Sequence, residues 1–193
     1  MKIVLASKSP RRRKIFKELG IKYSVWNGDT DETVNRPHKA YSLVKILAKR
    51  KAVAASKDIK TNDTLIISAD TVVVLDNKIL GKPKDDDDAR RMLKSMSGKK
   101  HYVYSGIAAI YNGKIVTDYE KTQIKFRTIS EHEIERYIST GEHKDKAGSY
   151  GIQEKGGYFV EKINGDINNV VGLPVLKLRN MIYKEFGIDI FSN

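Results

Sequence analysis

Tyr102-Val103-Tyr104-Ser105-Gly106-Ile107-Ala108-Ala109-Ile110-Tyr111-Asn112-Gly113 is the stretch whose reading decides the fold. Its first ten residues are apolar and aromatic enough for one long strand, and Asn112-Gly113 is the residue pair that tolerates positive φ in a two-residue hairpin turn. The strand therefore folds back onto residues 115–127, where Thr122, Ile124 and Phe126 share one side. A hairpin of that length makes much of the sheet antiparallel and excludes a pure doubly wound parallel fold. The expected class is α/β, a mixed, largely antiparallel twisted sheet with flanking helices.

Immediately upstream, Ala89, Met92, Leu93 and Met96 recur at helical spacing and Ser97-Gly98 closes the helix. The four acids Asp85 to Asp88 resemble a metal site, but they sit where capping and the helix dipole favour acids, and they are read as a first turn. Before them runs Ile66-Ile67-Ser68-Ala69-Asp70-Thr71-Val72-Val73-Val74-Leu75, an apolar stretch with one carboxylate in its middle. A charge taken out of water costs several kcal/mol unless compensated, so Asp70 needs a partner or a task. A capping role and a catalytic or metal-binding role both satisfy that demand. The strand turns at Asp76-Asn77 and returns through Ile79-Leu80 to Gly81-Lys82-Pro83, which brings Lys82 back towards the level of Asp70.

At the N-terminus, Ile3-Val4-Leu5-Ala6 reads as a buried strand feeding a helix opened by Ser9-Pro10 and ended by Gly20. Ile15, Phe16 and Leu19 mark the buried face of that helix, Arg11 and Arg12 lie on the same face, and Arg13, Lys14 and Lys17 lie largely outside it. Ser7, Ser9, two inward arginines and a helix N-terminus offer a phosphate site, although basic residues after a helix start also occur as a plain solvated face. Tyr23-Ser24-Val25-Trp26 is a short strand, followed by an acidic turn through Asp29, Asp31 and Glu32. A long helix over about 39–56 buries Val44, Leu47, Ala48 and Ala55 and turns Lys45, Lys49 and Arg50 outward. Lys51 falls on its apolar face, where it either snorkels to water or presents an ammonium to an anion. Lys60-Thr61-Asn62-Asp63 is a polar linker.

Downstream of the hairpin, Ser130 and Glu133 form a capping box for a helix that ends at Gly141. Residues 141–153 hold too many glycines and charges for a buried element and are read as a functional loop. A strand over 158–163, a turn at Asn164-Gly165-Asp166 and a last helix opened by Pro174 complete the chain.

The 193 residues suit a single domain over 1–193, and 40% hydrophobic with 31% charged residues is the composition of an ordinary globular chain. The absence of cysteine excludes disulfides, thiol catalysis and thiolate metal sites. Residues 1–6 are too short an apolar stretch for a signal core or a membrane span, so a cytoplasmic location and no membrane partner are expected. The net charge of +12 permits anionic partners, but the lysines are spread along the chain and form no stripe. The four histidines, His38, His101, His132 and His143, form no paired ligand motif and are read as surface or packing residues.

Taken together, Leu5-Ala6-Ser7-Lys8-Ser9-Pro10-Arg11-Arg12, Ser68-Ala69-Asp70-Thr71-Val72, Ile79-Leu80-Gly81-Lys82-Pro83, Ser97-Gly98-Lys99-Lys100-His101, Asp145-Lys146-Ala147-Gly148-Ser149-Tyr150-Gly151-Ile152-Gln153 and Asn169-Val170-Val171-Gly172-Leu173-Pro174 resemble the Maf family of nucleoside triphosphate pyrophosphatases. The resemblance implies a fold of the inosine-triphosphate-pyrophosphatase type with two lobes around a cleft, often a homodimer. It also implies hydrolysis of a nucleoside triphosphate to the monophosphate and pyrophosphate, assisted by a divalent cation, Mg2+ or Mn2+. In that scheme Asp70 and Lys82 carry the catalysis, with Asp70 either the base for the attacking water or a metal ligand. Glu32 is a further metal ligand, and Ser7, Arg11, Arg12, Lys51 and Lys82 hold phosphates. Arg11, Thr71, Lys146 and Gln153 resemble the branch associated with dTTP and UTP, not the branch associated with 7-methyl-GTP, and are carried as substrate-binding positions. Gln153 offers one donor and one acceptor side to a pyrimidine edge. The implied role is cleansing of non-standard pyrimidine nucleotides; the rival is a basic protein that binds nucleic acid or regulates cell division.

Overall fold

A computed structural model describes residues 1–34, 38–59 and 63–192. Along the chain the elements are β1 (Lys2–Ala6), α1 (Pro10–Glu18), β2 (Ser24–Trp26), α2 (Ala40–Asp58), β3 (Thr64–Leu75), β4 (Lys78–Leu80), α3 (Asp86–Met96), β5 (Lys100–Tyr111), β6 (Lys114–Phe126), α4 (Glu131–Ile138), β7 (Val160–Asn164), α5 (Ile167–Val171) and α6 (Val175–Phe186). Single 3-10 turns occupy Ala147–Ser149 and Lys155–Phe159. Of the polar linker, Lys60, Thr61 and Asn62 lie outside the described residues.

The chain builds two compact units from interleaved segments: Met1–Asp70, Ser105–Glu120 and Gly172–Asn193 form the first, Thr71–Tyr104 and Lys121–Val171 the second. β3, β5 and β6 each contribute to both. In the first unit the strand order is β2-β1-β3-β5-β6, with β1 parallel to both β2 and β3. α2 lies against this sheet through Ala48, Ala52 and Ala55, which cluster with Val4, Ala6, Ile66, Ala108 and Ile110. Small residues let the helix approach closely, and Gly106 of β5 marks the closest point. A Cβ there would stand 2.3 Å from the carbonyl carbon and oxygen of Val44.

In the second unit β3 pairs antiparallel with β4, and β6 pairs antiparallel with β7. α3 and α4 cover a core of Val73, Leu93, Met96, Ile124, Phe126, Ile134, Tyr137 and Phe159. The mixed sheet with flanking helices agrees with the expected class. Its two tight turns use the anticipated chemistry: Asp76 and Asn77 have φ of 48° and 62°, Asn112 and Gly113 47° and 80°. Asp85 caps α3 by accepting a hydrogen bond from the Asp88 amide, and Asp86, Asp87 and Asp88 fill the first turn. Ser130 and Glu133 form both halves of the capping box of α4.

Three expectations are corrected. Leu19 is exposed, because α1 stops at Glu18 and the turn into Gly20 swings residue 19 outward. Arg13 is as half-buried as Arg11, since its guanidinium folds back to donate to the Ser7 carbonyl and to Asn27 Oδ1. The loop over 141–153 is largely interior: His143, Lys146, Gly148, Ser149, Tyr150 and Gly151 are all buried. Its polar groups bond to one another and to α3 and α4, which removes the penalty that argued for exposure.

Candidate active site

The first unit gathers Ser7, Arg12, Glu32, Lys51 and Asp70. The parallel register pairs Ala6 with Ser68, so Ser7 leaves β1 at its carboxyl end and Asp70 stands two residues further along β3. Carboxyl ends of parallel strands are where open α/β sheets place ligands. The Ser68 hydroxyl donates to the Ala48 carbonyl at 2.6 Å and sets the level of α2 against β3. Lys51, nearly one helical turn beyond Ala48, then brings its Nζ to 2.6 Å from Asp70 Oδ1. The same nitrogen lies 2.8 Å from Glu32 Oε1. The carboxylate side chain of Asp70 is 12% exposed, that of Glu32 56%. One ammonium therefore joins an almost buried carboxylate to a half-open one. Arg50, the neighbour of Lys51, donates to the carbonyls of Thr33 and Asp31 and holds the acidic turn in place.

Arg12 is buried, its Nε donating to the Gly172 carbonyl at 2.7 Å and its Nη1 to Ser7 Oγ at 3.2 Å. Burial lowers its pKa, the charge of Asp70 opposes that, Arg11 reinforces it and Glu32 opposes it. A guanidinium remains charged through any such change at physiological pH. Arg11 is half-buried and has no hydrogen bond or ion pair among the described residues. The Ser9 side chain does not cap α1, which opens with Pro10, and the Ser9 amide itself donates to Ser7 Oγ at 3.3 Å. Cationic and N–H donors with an unengaged arginine suit a polyanion.

In the second unit Thr71 is half-buried in β3. Lys82 is exposed, 4.0 Å from the still more exposed Asp145. The amide of Gly148 donates to the carbonyl of Gly81, tying the 147–149 turn to the residue before Lys82. Lys146 is turned inward: its Nζ donates to the Glu142 carbonyl at 2.5 Å and to Glu154 Oε2 at 3.4 Å. Gln153 is exposed and its amide has no hydrogen bond among the described residues. It lines an open depression with Ile152, Glu154, Lys155 and Tyr158.

Of the histidines read as surface or packing residues, His101 and His143 are buried packing residues, and Glu142, which sequence reasoning passed over, joins them as scaffold. His143 Nε2 lies 2.9 Å from Asp86 Oδ1, pinning the loop to the start of α3. His101 Nε2 lies 2.8 Å from the Tyr150 hydroxyl, and both rings pack on Phe126. Burial holds the His101 imidazole down at about 4 and pushes the Tyr150 phenol up. Glu142 carries a further set of bonds described below. Nothing in the spacing of Glu142 marked it, because its backbone partners at Lys155 and Gly156 lie beyond the loop that it serves.

Among the described residues no helix is long and apolar enough to cross a membrane. Nor do three or more histidine, aspartate or glutamate side chains converge to hold a metal there. A family model described as Maf-like protein matches residues 2–185. The dTTP/UTP pyrophosphatase of Clostridioides difficile (strain 630) is 44% identical over 193 residues, which cover 99% of this chain and 98% of the relative. The dTTP/UTP pyrophosphatase of Clostridium novyi (strain NT) is 47% identical over 190 residues, 97% of each. Among solved structures, that of the Staphylococcus aureus Ham1 protein is 16% identical with a TM-score of 0.47, over 65% of this chain and 72% of that one.

Proposed function

The chain belongs to the Maf family, and from that membership we propose that it is a nucleoside triphosphate pyrophosphatase acting on dTTP and UTP and their modified forms, releasing the monophosphate and pyrophosphate. The observation that carries the chemistry is the single Lys51 ammonium between Asp70 and Glu32. Arg11, Arg12, Lys51 and the N-terminus of α1 hold the triphosphate. Water attacks the α-phosphorus as the bond to the bridging oxygen breaks. Asp70 takes the proton of that water, and pyrophosphate leaves with its new charge matched by the cationic donors.

Two carboxylates sharing one cationic neighbour also suit Mg2+ or Mn2+, hard ions held by one or two carboxylates plus substrate phosphates. Asp70 and Glu32 would hold the ion, which when bound neutralises phosphate charge. The proposal extends to a homodimer and a cytoplasmic setting; light scattering of the purified protein tests the dimer. The central test offers dTTP, UTP, CTP, ATP and GTP with Mg2+ or Mn2+. Monophosphate with pyrophosphate is the expected product, and orthophosphate with diphosphate sinks the mechanism.

A further inference from the structure

We infer that Glu142 is a positioning residue for base selection, acting through the segment that presents Gln153. The inference rests on the proposed function and deepens it. Glu142 Oε1 accepts from the Tyr137 hydroxyl and from the Gly156 amide, each at 3.0 Å, and Oε2 accepts from the Lys155 amide at 2.9 Å. Its own carbonyl takes the Lys146 ammonium. The Tyr137 hydroxyl also accepts from the Gly151 amide at 3.3 Å.

Gln153 therefore sits at the centre of a bridge, residues 152–154, whose two feet are fixed. Gly151 is held by Tyr137, and Lys155 and Gly156 by Glu142. The packing beneath leaves no slack. A Cβ at Gly151 would stand 2.6 Å from Lys146 Cε, and one at Gly156 would stand 2.8 Å from the Gly151 carbonyl oxygen. Lys146 is buried into this base, whereas Gln153 is exposed at the middle of the bridge, beside the exposed Glu154 and Lys155. An amide distinguishes nucleobases only by which of its two ends meets a donor or an acceptor, and that requires a fixed backbone beneath it.

A carboxylate is the side chain that this geometry requires. Three donors converge on two oxygens, and a glutamine accepts at only one of them. Glu142→Gln leaves an N–H or O–H facing an NH2 group and loosens the bridge while preserving size.

The test measures kcat/KM for dTTP and for GTP in wild type, Glu142→Gln, Tyr137→Phe, Gln153→Ala and the double variant Glu142→Gln/Gln153→Ala, with melting temperatures alongside. The expected result is a roughly tenfold loss of dTTP-over-GTP selectivity in Glu142→Gln and Tyr137→Phe, with no further loss when Gln153 is already alanine. Equal loss on both nucleotides overturns the inference, as does a selectivity loss that adds fully to that of Gln153→Ala. Unchanged selectivity in Gln153→Ala overturns it and leaves the pyrophosphatase activity standing. Absence of dTTP turnover in wild type removes both. If Glu142→Gln does not fold, Tyr137→Phe, which deletes one hydroxyl, decides alone.

Discussion

The ammonium of Lys51 lies 2.6 Å from Asp70 Oδ1, so the carboxylate embedded in an almost wholly buried strand is ion-paired by a helix packed on the same sheet. Lys51 also reaches Glu32, and neither carboxylate owns it.

Replacing Asp70 with asparagine preserves shape and leaves Lys51 paired with Glu32. The variant folds with little change in melting temperature, while turnover of dTTP falls by more than about 100-fold. Steady-state pyrophosphate release beside a thermal melt checks both halves; near-normal turnover removes Asp70 from the chemistry.

Lys51→Met has the opposite balance, because it removes the ammonium 2.6 Å from the nearly buried Asp70 and leaves that carboxylate only the longer-range charge of Arg12. We expect a stability loss of about 2–3 kcal/mol, below the range for a fully buried pair because water still reaches this site. Lys51→Met/Asp70→Asn regains part of that loss. Urea denaturation of the three variants reads the coupling, and strictly additive losses contradict it.

Acid should weaken the fold through His101. Its imidazole titrates at about 4 when buried against 6.5 when free, so the unfolded chain binds the proton first. The contribution is fully present above pH 6.5 and is lost as pH falls towards 4, amounting to about 2 kcal/mol between pH 7 and pH 5. Denaturant midpoints at the two pH values measure it, and a His101→Phe variant should show a correspondingly flatter profile.

Gly106→Ala tests the seat of α2. The added methyl meets backbone atoms of Val44, which cannot rotate away, so we expect a loss of about 2–3 kcal/mol, the upper part of the overpacking range. The helix also carries Lys51, so turnover falls beyond what the unfolded fraction explains. A stable, fully active variant shows that the helix can shift without disturbing the site.

The turns, the capped helix starts and the strand carrying Asp70 were legible because their signals are local. Asn112-Gly113 needs positive φ, Asp85 and Ser130 face free N–H groups, and the run around Asp70 has few alternatives to burial. Lys51 was legible as a cation on an apolar face, but its sharing by two carboxylates depends on the level of α2 over β3, which Ser68 and Ala48 set across twenty residues. The loop over 141–153 misled for a related reason. Glycines and charges signal exposure when their partners are unknown, and the partners of Glu142 and His143 lie on α3, α4 and the chain beyond Gln153. Leu19 failed by position alone, lying one residue past the end of its helix.

The backbone passes between the two compact units four times, after Asp70, Tyr104, Glu120 and Val171. No single cut releases either unit whole, so neither could be shuffled by simple gene fusion, expressed as a contiguous fragment or recovered intact by limited proteolysis. Asp70 occupies the first of these crossings, which means that the residue proposed for catalysis belongs to a part of the chain that evolution could vary but could not transplant.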